Sequence, residues 1–121
     1  MSQQFELTFD EYSLQALETA QYPDIGGSGL PYVVFGLCGE AGEVAEKVKK
    51  LYRDTAFTGD VSTLTDEQKD QVAKEAGDCL WYLSELCRQL GVPLSKVAEM
   101  NIAKLRARKL GGKINGSGDS R

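Results

Sequence analysis

The stretch Gly36-Leu37-Cys38-Gly39-Glu40-Ala41-Gly42-Glu43-Val44-Ala45-Glu46-Lys47 decides the fold. Its apolar residues belong to a longer series, Val34, Leu37, Ala41, Val44, Val48 and Leu51, spaced by three and four, the repeat of one face of an α-helix. Pro31 suits the first turn of that helix, and the pattern reaches about Arg53. A second stretch, Lys74-Glu75-Ala76-Gly77-Asp78-Cys79-Leu80-Trp81-Tyr82, lies in a stripe of the same period: Val72, Ala76, Leu80, Leu83, Cys87 and Leu90. Thr65-Asp66-Glu67-Gln68 has capping-box spacing and opens this second long helix. Gly91 closes it, and Pro93 bars its continuation.

Outward from these two helices the signals are weaker. Thr8-Phe9-Asp10-Glu11 is another capping box, opening a helix that runs to about Gln21 and stops before Pro23, with Leu14 and Leu17 as a narrow apolar face. Residues 24–29 are glycine-rich and read as a linker, in preference to a flap assisted by Tyr22 and Tyr32. Residues 54–64 are polar, carry Gly59 and read as a loop. A last helix spans about Leu94 to Arg108. From Gly111 the chain is rich in glycine and serine, so a disordered tail is expected over 111–121. No strand-like alternation occurs. The expected fold class is all-α, a four-helix bundle, in one domain over residues 1–110.

Composition narrows the function. At 121 residues the chain has the size of one domain, and an apolar share of 41% suffices for a core. The formal net charge of −4 argues against binding a nucleic-acid polymer, which calls for a basic face. No apolar run could cross a bilayer, so no membrane partner is expected, and the N-terminus lacks a secretory pattern. Cys38, Cys79 and Cys87 lack zinc spacing and read as buried free thiols, which points to a cytoplasmic setting. The absence of histidine excludes Ser-His-Asp catalysis, histidine-ligated zinc and the Glu-x-x-His di-iron motif.

The acids carry the chemistry. At 100° per residue, Glu40 and Glu43 lie roughly 60° and 120° to one side of their helix's apolar stripe. Glu75 and Asp78 lie roughly 100° and 160° to the same side of theirs. Antiparallel packing through the stripes would bring both acidic edges to one groove. Carboxylates so gathered cannot all stay ionised without cations, and an oxygen-only donor set suits Mg²⁺, with Mn²⁺ as a substitute. Such a site supports metal-assisted phosphoryl transfer to water. Gly39, Gly42 and Gly77 beside the acids cost helix stability, so a close approach of backbone or ligand is expected there. Lys47 and Lys50 continue the edge begun by Glu43. Asn101, Lys104 and Arg108 share a face of the last helix and are candidate phosphate contacts. Tyr82, one turn past Asp78, is placed to stack on a nucleobase, whereas Trp81 reads as packing.

With these residues in view, the chain resembles the MazG-like nucleoside triphosphate pyrophosphohydrolases of the all-α NTP pyrophosphatase group. The resemblance rests on Gly39-Glu40-Ala41-Gly42-Glu43-Val44, on residues 75–83, and on Asn101, Lys104, Leu105 and Arg108, and covers about residues 30–110. It implies Glu40, Glu43, Glu75 and Asp78 as Mg²⁺ ligands, and Asn101, Lys104 and Arg108 as triphosphate contacts; Lys50, from its place on the acidic edge, is a further candidate for phosphate charge. It also implies cleavage of a (deoxy)nucleoside triphosphate between the α and β phosphates, and a homodimer or homotetramer with sites near subunit interfaces. Glu40 is expected to orient or deprotonate the attacking water, with Glu43 beside it. The interval between the acidic pairs is longer than the family usually shows, the extra length falling at residues 54–64. Phosphoribosyl-ATP as substrate, and a non-catalytic helical module, are the competing readings.

Overall fold

The computed structural model describes residues 6–112 and contains four α-helices and two 3₁₀ turns, with no strand among the described residues. The helices are α1 (Phe9–Ala16), α2 (Leu30–Asp54), α3 (Asp66–Leu90) and α4 (Leu94–Leu110). The tail expected from Gly111 lies, from residue 113 on, outside the described residues. No helix among the described residues is long and apolar enough to cross a membrane.

Local chemistry sets the helix ends. Thr8 accepts from the Glu11 N–H at 3.1 Å while Glu11 accepts from the Thr8 N–H at 2.8 Å. Thr65 and Gln68 repeat the exchange at the start of α3, at 3.1 and 2.9 Å. Gly91 ends α3 at φ +69°, a left-handed conformation that favours glycine. Pro31 occupies the first turn of α2, where its missing N–H costs nothing. The first helix is shorter than expected. It passes at Leu17 into a 3₁₀ turn, Leu17–Thr19, rather than continuing to Gln21.

The long helices α2 and α3 form an antiparallel hairpin, the main packing unit of the chain. Its register is fixed at two points. Tyr82 of α3 lies over Gly36 of α2, and further along Lys47 of α2 faces Glu75 of α3. Val33, Cys87, Ala16, Tyr22 and Leu94 form the buried apolar centre, where α1 and α4 close on the hairpin. The expected α1 face is wrong in phase. Leu14 is 69% exposed and Leu17 also faces out, while Ala16 is buried, because α1 is anchored mainly by polar contacts. Ser84 Oγ donates to Ser13 Oγ at 2.8 Å, the Arg88 guanidinium donates to the Ser13 carbonyl at 2.5 Å, and Trp81 Nε1 donates to Thr19 Oγ1 at 2.9 Å. Of the thiols expected inside, Cys87 is buried, Cys79 is intermediate and Cys38 is exposed.

The two connections are more ordered than their composition suggests. Residues 24–29 fold around the buried Tyr22, with the Gly27 N–H donating to the Asp24 carbonyl at 2.9 Å. Residues 54–64 contain the 3₁₀ turn Val61–Thr63, capped by Asp60, and Phe57 packs on Tyr52 with ring centroids 4.9 Å apart.

Glycine has two different roles in the hairpin. A Cβ at Gly36 would collide with the Tyr82 ring, so this position must stay bare. A Cβ at Gly39, Gly42 or Gly77 would meet nothing within 4 Å, so among the described residues no backbone makes a close approach, one of the two expected there. Gly36→Ala is therefore expected to destabilise by about 1–2 kcal/mol, overpacking outweighing the gain in helix propensity. Gly39→Ala is expected to stabilise by up to about 1 kcal/mol. Thermal melts check the pair: the first should fall by about 5 °C and the second should rise. Equal shifts would mean that Tyr82 moves aside.

Candidate functional site

The hairpin register brings α2 and α3 acids together. One carboxylate oxygen from each of Glu40, Glu75 and Asp78 lies within 4.8 Å of the others. Glu40 and Glu75 are half-buried and Asp78 is exposed. Partial burial, then the charges of Asp78, Glu75 and Glu43, push the Glu40 carboxyl above the usual carboxylate range. The donors are all carboxylate oxygens, with no imidazole or thiolate among them, and their mutual repulsion is what a cation would relieve. The cluster thus fits a hard divalent ion. Glu43, expected as a fourth member, is exposed and stands outside the trio, although its charge reaches Glu40.

Two different environments flank the acids. Towards the N-terminal half of α2 lies an aromatic group. Tyr82 has one side against Gly36 and meets Trp81 edge-on at 5.0 Å. Burial, then Tyr32 and Glu40, raise its phenol above the ordinary range. Packing therefore uses part of the ring that the sequence offered to a nucleobase. Tyr32, 46% exposed, is the more open ring, stacked at 5.6 Å and 7° on Tyr22. Tyr22 is held in turn: its hydroxyl donates to the buried Glu85 at 3.1 Å and accepts from Gln89 Nε2 at 2.7 Å. Sequence reasoning weighed Tyr32 only as part of a flap and missed Tyr12, whose phenol is raised by burial and then by Asp78 and Glu85. The one signal for Tyr32 was its position two turns before Glu40 on the same helix.

Towards the C-terminal end of α2 lies a groove of mixed lining, with Leu51 and Val72 beside polar side chains. Lys47 Nζ is 3.9 Å from Glu75 Oε1, a partly exposed pair worth little to stability. Lys47 also lines the groove, together with Lys50, Asp54, Thr55, Gln68 and Gln71. Lys50 thus sits beyond the acids rather than among them.

The α4 candidates are set apart. The helix packs on α1 and α3, not along the α2–α3 groove. Asn101 and Lys104 border a shallow surface with Val97, Met100 and Ala103, all from α4. Arg108 is buried, at 8% exposure.

The profile of the MazG nucleotide pyrophosphohydrolase domain matches residues 32–110, a span that holds the acids and the groove beyond them, and Tyr32 and Tyr82 but not Tyr22 of the aromatic group. The chain belongs to the MazG family. The Gene 37 protein of Mycobacterium phage L5 is 46% identical over 116 residues, covering 93% of this chain and 97% of that protein. No solved structure matches the chain. The MazG assignment agrees with the all-α fold and supports a nucleotide pyrophosphohydrolase. The helix α1, which anchors Ser84 and Arg88, precedes the matched span.

Proposed function

We propose that the chain hydrolyses (deoxy)nucleoside triphosphates between the α and β phosphates. Water adds to the α-phosphorus, the α–β bridging oxygen leaves with pyrophosphate, and the nucleoside monophosphate keeps the water oxygen. The carboxylate trio of Glu40, Glu75 and Asp78 in a MazG chain is the observation that carries this reading. Mg²⁺, or Mn²⁺, held by the trio with Glu43 alongside, would neutralise triphosphate charge and make the attacking water more acidic. Glu40, half-buried between the acids and the aromatic group, orients that water and accepts its proton on a carboxylate oxygen. Near-normal turnover by Glu40→Gln would remove this role.

Asn101 and Lys104 fit the reading as phosphate contacts made across a homodimer or homotetramer. Supporting this is the apolar surface around them: Val97, Met100, Ile102 and Leu105 are all exposed in the single chain.

The test is pyrophosphate release from a panel of canonical and modified (d)NTPs with Mg²⁺ and with EDTA, alongside light scattering for the oligomer. Release that needs the metal is expected. Silence across the panel would sink the triphosphate reading, and a monomer at micromolar concentration would sink the shared site.

A further inference from the structure

The two long helices present the same succession of chemistries. Along α2 the order is Tyr32, Glu40, Lys47, Lys50, and along the antiparallel α3 it is Tyr82, Asp78, Glu75, Gln71, Gln68. Three contacts hold the two series in step: Tyr82 on Gly36, the carboxylate trio, and Lys47 on Glu75. The groove therefore runs from aromatic, through acidic, to cationic and amide-lined.

We propose that the end lined by Lys47, Lys50, Thr55, Gln68 and Gln71 binds the pyrophosphate part of the substrate, with the nucleoside towards Tyr32. The inference rests on the triphosphate reading above and adds a direction to it. Pyrophosphate is a compact polyanion whose oxygens take ammonium and amide N–H donors, and this end supplies both, while the Thr55 hydroxyl already donates to the Leu51 carbonyl at 2.6 Å. The carbonyl oxygen of Gln68 already accepts from the Thr65 N–H, so what its amide offers a ligand is the NH₂. Asp54 is the one acid lining the groove, and its carboxylate is gripped by Arg53 through bonds of 2.6 and 2.8 Å. The groove encloses about 210 Å³, below the roughly 300–1,000 Å³ of sites that surround a whole small-molecule ligand, so it suits a fragment. Lys47 stands at the junction, within reach of both Glu75 and the groove. At the opposite end Tyr32 offers an open ring backed by Tyr22, which suits a base and not a polyanion.

The test is calorimetric titration of the full chain with inorganic pyrophosphate in Mg²⁺ buffer, repeated with a nucleoside monophosphate. Lys50→Ala is expected to weaken pyrophosphate about tenfold and leave the monophosphate unchanged. Lys49→Ala removes the same charge from a side chain paired with Glu46, outside the groove, and is expected to leave both affinities within about twofold. Absence of pyrophosphate binding, equal effects of the two lysine variants, or a loss confined to the monophosphate would each overturn the proposal. The two readings fail separately. A panel without hydrolysis but with Lys50-dependent pyrophosphate binding removes the triphosphate reading and keeps the groove; turnover with pyrophosphate affinity unchanged in Lys50→Ala does the reverse.

Discussion

Asparagine in place of Asp78 is expected to lower kcat for triphosphate hydrolysis by about 10³-fold, while the metal-free protein melts about 2 °C higher. The two effects have one cause. Asp78 contributes a carboxylate to a trio whose oxygens lie within 4.8 Å of one another, and its charge is the largest electrostatic contribution raising the Glu40 carboxyl. Removing that charge relieves repulsion in the empty site and removes a donor from the loaded one. The gain in stability stays small because Asp78 is exposed and water screens it. Steady-state kinetics with Mg²⁺ and a melt in EDTA read the two arms. A variant that lost activity and stability together would make Asp78 a structural residue instead. Glu43→Gln is the comparison: it stands outside the trio, so a milder loss of about 10–100-fold is expected.

The largest effect on folding is expected at Glu85. This carboxylate is fully buried, accepts from the Tyr22 hydroxyl at 3.1 Å, and accepts from Arg88 Nε at 3.1 and 3.3 Å. Glu85→Ala would leave the Arg88 charge half-buried without its carboxylate and take one partner from Tyr22. A loss of about 3 kcal/mol follows, at the low end for a broken buried pair because the Arg88 side chain is 28% exposed. In urea the midpoint should fall by about 1–2 M. Glu85→Gln keeps the shape and an acceptor for Tyr22, and about 1–2 kcal/mol should be lost. Equal midpoints for Glu85→Ala and the unaltered chain would show that the Tyr22–Glu85–Arg88 network contributes nothing to holding α1 and the 24–29 connection against α3.

What the sequence made legible is what repeats or caps. The long helices, both capping boxes, the Pro31 start and the Gly91 stop depend on residues within four positions of each other, and all stand in the fold. The grouping of Glu40, Glu75 and Asp78 was legible because helical phase alone puts the acids on facing edges. Phase could not tell that Glu43 falls outside, since a 60° difference becomes a contact or a gap only once the helix separation is known. Short α1 was misphased for another reason. Its apolar leucines suggest a face, but its anchoring comes from Ser13 and Thr19, whose partners Ser84, Arg88 and Trp81 lie more than sixty positions away. Glu85 gave no local sign at all. A glutamate opposite the Leu80, Leu83, Cys87 and Leu90 stripe of its helix looks solvated until Tyr22 and Arg88 close over it.

The polar seam between α1 and α3 bears on where the protein can be cut. The family signature begins at residue 32, yet Asp10 holds Ser95 Oγ at 2.7 Å and Ser13 holds Ser84 and Arg88. The unit that melts as one is therefore wider than the unit that is recognised. A fragment starting at Tyr32 would keep every acid of the trio but open Glu85 and Ser84 to water, and a protease offered that fragment should find α3 cleavable where the longer chain resists.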